Sequence, residues 1–227
     1  MLLLHVIAGS VGLFSGFASM LFAKGSRNHQ RAGHVYTGAM LIMTAIAVPI
    51  AIFVSMNPLN VVAASLTFYL VSSAWATVHR RPEQPRGLEH AILGVGLAAG
   101  LLGYGIGIHY VGVSNVPAAA FSFVFGSIAL LGSWGDLRLL RRREISRTQK
   151  LTRHLWRMAL SLLIAALSLF LGQAKHLPAW LTSTKMNVIP VLIALGLLIY
   201  WPIRVRFAPW TRKPQARLGI ADAATGG

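Results

Sequence analysis

Eight histidines and a short run of arginines are the side chains of this sequence best suited to chemistry, and both groups sit at the ends of apolar segments. Neutral imidazole is the commonest metal ligand, and a pair of imidazoles from facing helices is one way a bundle holds b-type haem. His5, His109 and His176 fall at one end of their segments; His34, His79, His90 and His154 fall at the other, with His29 in the adjoining loop. Two uses follow. His5, His34, His79, His90, His109 and His154 can serve as ligands of a cofactor such as haem b. His5, His109 and His176 can form a three-imidazole metal site with an open position that activates water. The plainer role for each is an interfacial side chain that bonds a headgroup or caps a helix end. His90 and His109 share one segment at a separation of 19 residues. That is about 28 Å at about 1.5 Å per helical residue, so they cannot serve one centre.

The densest polar constellation is Arg153-His154-x-x-Arg157 beside Asp136, with His29 and Arg31 on the same side of the apolar segments. Arg153 and Arg157 stand one helical turn apart and share a face. Met158-Ala159-Leu160 follows Arg157, so its side chain enters the apolar layer or reaches back to the edge. An arginine there needs a partner, and Asp136 or Glu89 stands at a suitable depth. One use is a structural ion pair that fixes the junction of the fifth and sixth segments. The other is a clamp for a propionate, a quinone head or a phosphate, because guanidinium binds planar anions through two bonds.

Charge placement identifies the elements that carry these residues. Nineteen of the 21 Lys and Arg residues lie in four stretches, separated by gaps nearly free of charge. Seven apolar runs lie between them, each near the length of about 20 residues that spans a bilayer. A chain 55% hydrophobic and 11% charged fits no soluble domain. The expected fold is all-α: a polytopic integral membrane protein, a bundle of seven transmembrane helices near 2–23, 34–56, 59–78, 88–111, 117–140, 151–174 and 188–205. They form one domain over residues 1–206, followed by a basic, disordered tail over 207–227. The positive-inside rule places the amino terminus outside and the carboxyl terminus in the cytoplasm. Met1-Leu2-Leu3-Leu4 has no positive leader, so the first segment is expected to be a retained helix. The chain is therefore expected in the cell (inner) membrane as a multi-pass protein.

The formal charge of +16 does not point to nucleic acid, since the basic residues flank apolar runs instead of lining a groove. Anionic headgroups of the cytoplasmic leaflet are the expected partners. The absence of cysteine excludes disulfides, thiolate metal sites, iron–sulfur ligation and covalent haem attachment. Acidic residues are few: Glu83, Glu89, Asp136, Glu144 and Asp222, none at mid-membrane. The middle of the bundle offers hydroxyls such as Thr44, Ser65, Thr67, Ser72, Ser127 and Ser161. A central cavity would suit a hydrophobic guest, and ion-coupled transport is disfavoured. Gly9, Gly12 and Gly16 on the first helix, and Gly94, Gly96, Gly100, Gly103, Gly105 and Gly107 on the fourth, permit close helix contact or a flat ring against the backbone. His5-x-x-x-Gly9 is echoed by His90-x-x-x-Gly94, as inverted repeats would require.

Three stretches together carry a resemblance. They are Leu4-His5-Val6-Ile7-Ala8-Gly9 with the run Lys24 to Tyr36; Tyr69-Leu70-Val71 with Ala74-Trp75; and Arg153-His154-Leu155-Trp156-Arg157-Met158 through Leu171-Gly172-Gln173. These resemble the bacterial membrane-protein family catalogued as domain of unknown function 2306, over about half the chain. Where the family has an arginine after Gly33, this chain has His34, so no role is carried over to that histidine. The resemblance implies a polytopic bacterial membrane protein without an assigned activity, and directs attention to His5, His29, Arg31, Arg153, His154 and Arg157.

Three functional classes remain open on the sequence. The first is a histidine-bearing bundle that holds a hydrophobic redox group, b-type haem above all, for membrane electron transfer. The second is a transporter or channel for an apolar or weakly polar solute. The third is a non-catalytic assembly or sensing partner.

Overall fold

The computed structural model describes residues 1–79, 86–141 and 146–207, and these residues contain no strand. The helices are α1 (Leu2–Leu21), α2 (Arg27–Phe53), α3 (Pro58–His79), α4 (Gly87–Gly112), α5 (Val116–Arg141), α6 (Arg147–Ala166), a short α7 (Ala179–Ser183) and α8 (Ile189–Phe207). Seven helical stretches, all but α7, are long and apolar enough to cross a membrane, and the chain is a multi-pass helical membrane protein. The side chains exposed along these helices suit lipid: Phe14, Ile42, Leu101, Phe121, Leu131 and Ile193 all face outward.

α3 is the hub. It packs against α2, α4, α5 and α6, and it buries Val62, Leu66, Tyr69, Leu70 and Val71 almost completely. α1 packs on α2 and α6, α4 on α3 and α5, and α8 on α6 at the edge of the bundle. The α4–α5 contact depends on glycine. A Cβ at Gly103 would stand 2.7 Å from the Cα of Gly126, so the two backbones touch where neither residue has a side chain. Of the other glycines on α4, Gly96, Gly100 and Gly107 meet α5 or α3, whereas Gly94 and Gly105 face open space.

Two helices start earlier than their apolar runs predict, and each start is capped. α2 begins at Arg27 instead of near 34, because the Ser26 hydroxyl accepts from the His29 N–H at 3.2 Å. Most of the expected first basic loop is thus helix. α6 begins at Arg147 instead of near 151. Ser146 and Gln149 form a reciprocal capping box, with bonds of 3.2 and 3.1 Å. Such a cap matters where basic residues crowd the positive end of a helix dipole.

At its other end α6 widens into a π-helical turn, Leu167–Gly172. A widened turn breaks the regular bonding pattern, and here the amide of Asn187 donates to the Phe170 carbonyl at 2.8 Å. The helix expected over 188–205 corresponds to α8, preceded by α7 and short 3₁₀ turns. Of the tail expected over 207–227, only Phe207 is described, as the last residue of α8. Glu83, Glu144 and Asp222 lie outside the described residues.

Candidate functional site

Arg157 lies ten residues inside the start of α6, about 15 Å along the axis, and its side chain is 1% exposed. A guanidinium at that depth must be neutralised and hydrogen-bonded by its neighbours. Asp136 from α5 supplies the charge. Nη2 of Arg157 donates to Asp136 Oδ1 at 3.0 Å, and Nη1 donates to Oδ2 at 3.3 Å. Nη2 also donates to the Gly132 carbonyl at 3.0 Å and to the Tyr69 hydroxyl at 3.3 Å. Tyr69 in turn donates to Asp136 Oδ2 at 2.5 Å, a short charge-assisted bond. Gly132 makes room for this assembly, since a Cβ there would stand 2.9 Å from the tyrosine hydroxyl.

Arg153, one turn before Arg157, forms an ion pair with the same Asp136 Oδ1. Its Nε donates to Thr77 Oγ1 at 3.0 Å, which ties α6 to α3. Two guanidinium groups thus converge on one carboxylate in a buried position. Arg157 Nε has no hydrogen-bond partner although it is buried; the only other such atom among the described residues is Trp201 Nε1.

Both arginines line an open-sided cavity of about 1170 Å³ between α5, α6 and α8. It exists because α8 packs on α6 and leaves a gap toward α5. Its walls divide by chemistry. Arg138, Thr148, Gln149, Thr152, Arg153 and Arg157 are polar, and Leu131, Leu139, Trp156, Pro202, Ile203 and Phe207 are apolar. The Arg157 guanidinium carbon lies 5.2 Å from the Trp156 ring centre, within cation–π range. An apolar trough that ends in guanidinium groups can take a molecule with a hydrocarbon body and an anionic head.

Of the sequence-expected cluster, the fold brings together Arg153, Arg157 and Asp136. His29 and Arg31, on α2, form no ion pair or hydrogen bond with Asp136 among the described residues, and His29 instead bonds the Ser19 carbonyl of α1. Of the two acids offered as a partner for Arg157, the one bonded to it is Asp136. Tyr69 and Gly132 are members that the sequence reading did not assign to the site.

The histidines are engaged one by one. A ring nitrogen of His5 bonds the Met43 carbonyl at 3.1 Å, His29 the Ser19 carbonyl at 2.9 Å and His154 the Ala74 carbonyl at 3.2 Å. His90 bonds the Arg86 carbonyl of its own helix at 2.7 Å. His109 lies against Tyr110, with ring centres 5.7 Å apart. His176 ends a 3₁₀ turn. His34 and His79 meet directly, Nε2 to Nε2, at 3.1 Å.

The three-imidazole metal site is not formed. His5 is on α1 and His109 on α4, and no three His, Asp or Glu side chains converge on a metal position among the described residues. The cavity between α5, α6 and α8 is not lined by the histidines expected to hold haem. Arg153 and Arg157 would suit propionates, but no histidine lines this space, nor does any Met or Tyr, so no side chain there can ligate the iron. The echo between His5 and His90 does not extend to their contacts. His5 bonds a neighbouring helix and Gly9 faces Met43, whereas His90 bonds its own helix and Gly94 faces open space.

Fold and site together define a multi-pass helical membrane protein with a buried arginine–carboxylate centre beside an open cavity. Comparisons with protein-family models, curated proteins and solved structures found no match.

Proposed function

We propose that this protein binds an anionic amphiphile, drawn from the membrane into the cavity between α5, α6 and α8. The head, a phosphate or carboxylate, is held by Arg153 and Arg157, and the hydrocarbon lies along Leu131, Trp156, Ile203 and Phe207. One observation carries the reading: a buried guanidinium, Arg157, and a partly buried one, Arg153, share a single carboxylate at the wall of a cavity. Charge in a low-dielectric site favours a counter-ion far more than the same charge in water does. An anionic head would balance the second positive charge.

The basic end of the bundle is assigned to the cytoplasm, with the amino terminus outside and the chain in the cell (inner) membrane. On that assignment the cavity opens at the level of the cytoplasmic leaflet, where anionic lipids supply amphiphiles of this chemistry. An open cavity with an apolar wall suits a carrier or a lipid-sensing protein better than a proton pump, whose carboxylates would line a path through the membrane.

Tryptophan quenching tests the proposal. Purified protein is placed in bilayers that contain phosphatidylglycerol or phosphatidylcholine with brominated chains, and the Trp156 contribution is isolated by comparison with Trp156→Phe. Binding at the cavity gives stronger quenching by the anionic lipid, lost in Arg153→Gln. Equal quenching by the two lipids, unchanged in Arg153→Gln, would remove the basis of the reading.

A further inference from the structure

The other unassigned cluster lies at the basic ends of α2 and α3. His34 and His79, 45 residues apart in sequence, point their Nε2 atoms at one another at 3.1 Å, and both are exposed. His79 is held in place twice. Its Nδ1 bonds the Trp75 carbonyl at 3.0 Å, and its ring stacks on Trp75 with centres 4.8 Å apart and planes 18° from parallel. A carbonyl can only accept, so Nδ1 carries the proton and Nε2 presents a lone pair. The contact therefore holds together when His34 donates its Nε2 proton to that lone pair.

We propose that His34 and His79 chelate a single divalent transition-metal ion, of the zinc, copper or nickel class, through both Nε2 atoms, with the His34 proton moving to its own Nδ1. The spacing fits a chelate. With metal–nitrogen bonds of about 2.0–2.1 Å, adjacent ligands on one ion stand about 3.3–3.4 Å apart at the tetrahedral angle, and about 2.9 Å apart at a right angle. The observed 3.1 Å lies between these values. The Trp75 carbonyl acts as the outer-shell acceptor that fixes tautomer and ring orientation, as such acceptors do for metal-bound histidines. Imidazole nitrogen selects borderline metals over magnesium or calcium. No third His, Asp or Glu joins the pair among the described residues. The site is thus an exchangeable clamp that ties the basic end of α2 to that of α3.

The experiment is a thermal melt of untagged protein, stripped with chelator and titrated with zinc, then with nickel. The clamp predicts a saturable rise in melting temperature, reversed by chelator. Apparent affinity falls at least tenfold in His34→Ala and in His79→Ala and is unchanged in His90→Ala, whose ring bonds only its own helix. A second readout needs no variant. Zinc must protect His34 and His79, but not His90, from carbethoxylation, read by peptide mass spectrometry. No rise in melting temperature, a rise that survives His34→Ala, or equal modification of the pair with and without zinc would overturn the proposal.

Discussion

Asp136→Asn keeps the shape of the buried centre and removes the carboxylate that Arg153 and Arg157 share. Asp136 is 5% exposed and Arg157 1%, so little water can replace the lost carboxylate. If the carboxylate mattered only through hydrogen bonds, three bonds at about 0.6 kcal/mol each, the average between transmembrane helices, would cost about 2 kcal/mol. An uncompensated buried charge raises the loss to about 3–5 kcal/mol. Charge counting then sets an order among variants. Arg153→Gln leaves one guanidinium on one carboxylate and should be near neutral. The double variant Asp136→Asn with Arg153→Gln should lose less than Asp136→Asn alone. Denaturant unfolding of the detergent-solubilised protein, followed by tryptophan fluorescence, measures all three. An Asp136→Asn loss below about 1 kcal/mol, or an Arg153→Gln loss equal to it, would refute the shared-charge reasoning.

Three further outcomes follow from individual contacts. Tyr69→Phe removes the donor to Asp136 and an acceptor for Arg157, and should cost about 1–3 kcal/mol in the same unfolding measurement. Gly103→Ala places a methyl against the backbone of Gly126 and should cost about 1–3 kcal/mol, whereas Gly105→Ala, in open space, should be neutral or mildly stabilising; paired melts separate the two. Lys24, which bonds the last carbonyls of α1 and lies 4.3 Å from the Trp201 ring centre, has its pKa drawn down by burial from 10.5 to about 8. Between those values the unfolded chain binds more protons than the folded one. The Lys24 contribution to stability therefore rises with pH across that window and is lowest below about 8. Lys24→Met should flatten that slope in pH-dependent melts.

The bundle was legible because bilayer physics writes it into composition: seven charge-free runs with basic flanks admit few other folds. Asp136 and Arg157 were legible for the same reason, since an acid and a base at matching depths in apolar segments must find one another. Tyr69 and Gly132 were not. Their roles come from contacts between residues 67 and 25 positions away in sequence, and a tyrosine or glycine in an apolar run carries no signal of its own. The early start of α2 was hidden because Arg27 and Arg31 read as loop, although Ser26 is a capping residue and basic side chains continue a helix well beyond lipid. The cavity was hidden more deeply, since it depends on α8 packing to one side of α6.

Native mass spectrometry of the gently solubilised protein tests the anionic-amphiphile site most directly. The protein should retain one acidic lipid or other anionic amphiphile through delipidation that removes zwitterionic lipid, and Arg153→Gln should lose it while remaining folded. A protein that emerges bare, or that holds the same amphiphile equally well after Arg153→Gln, would contradict the assignment.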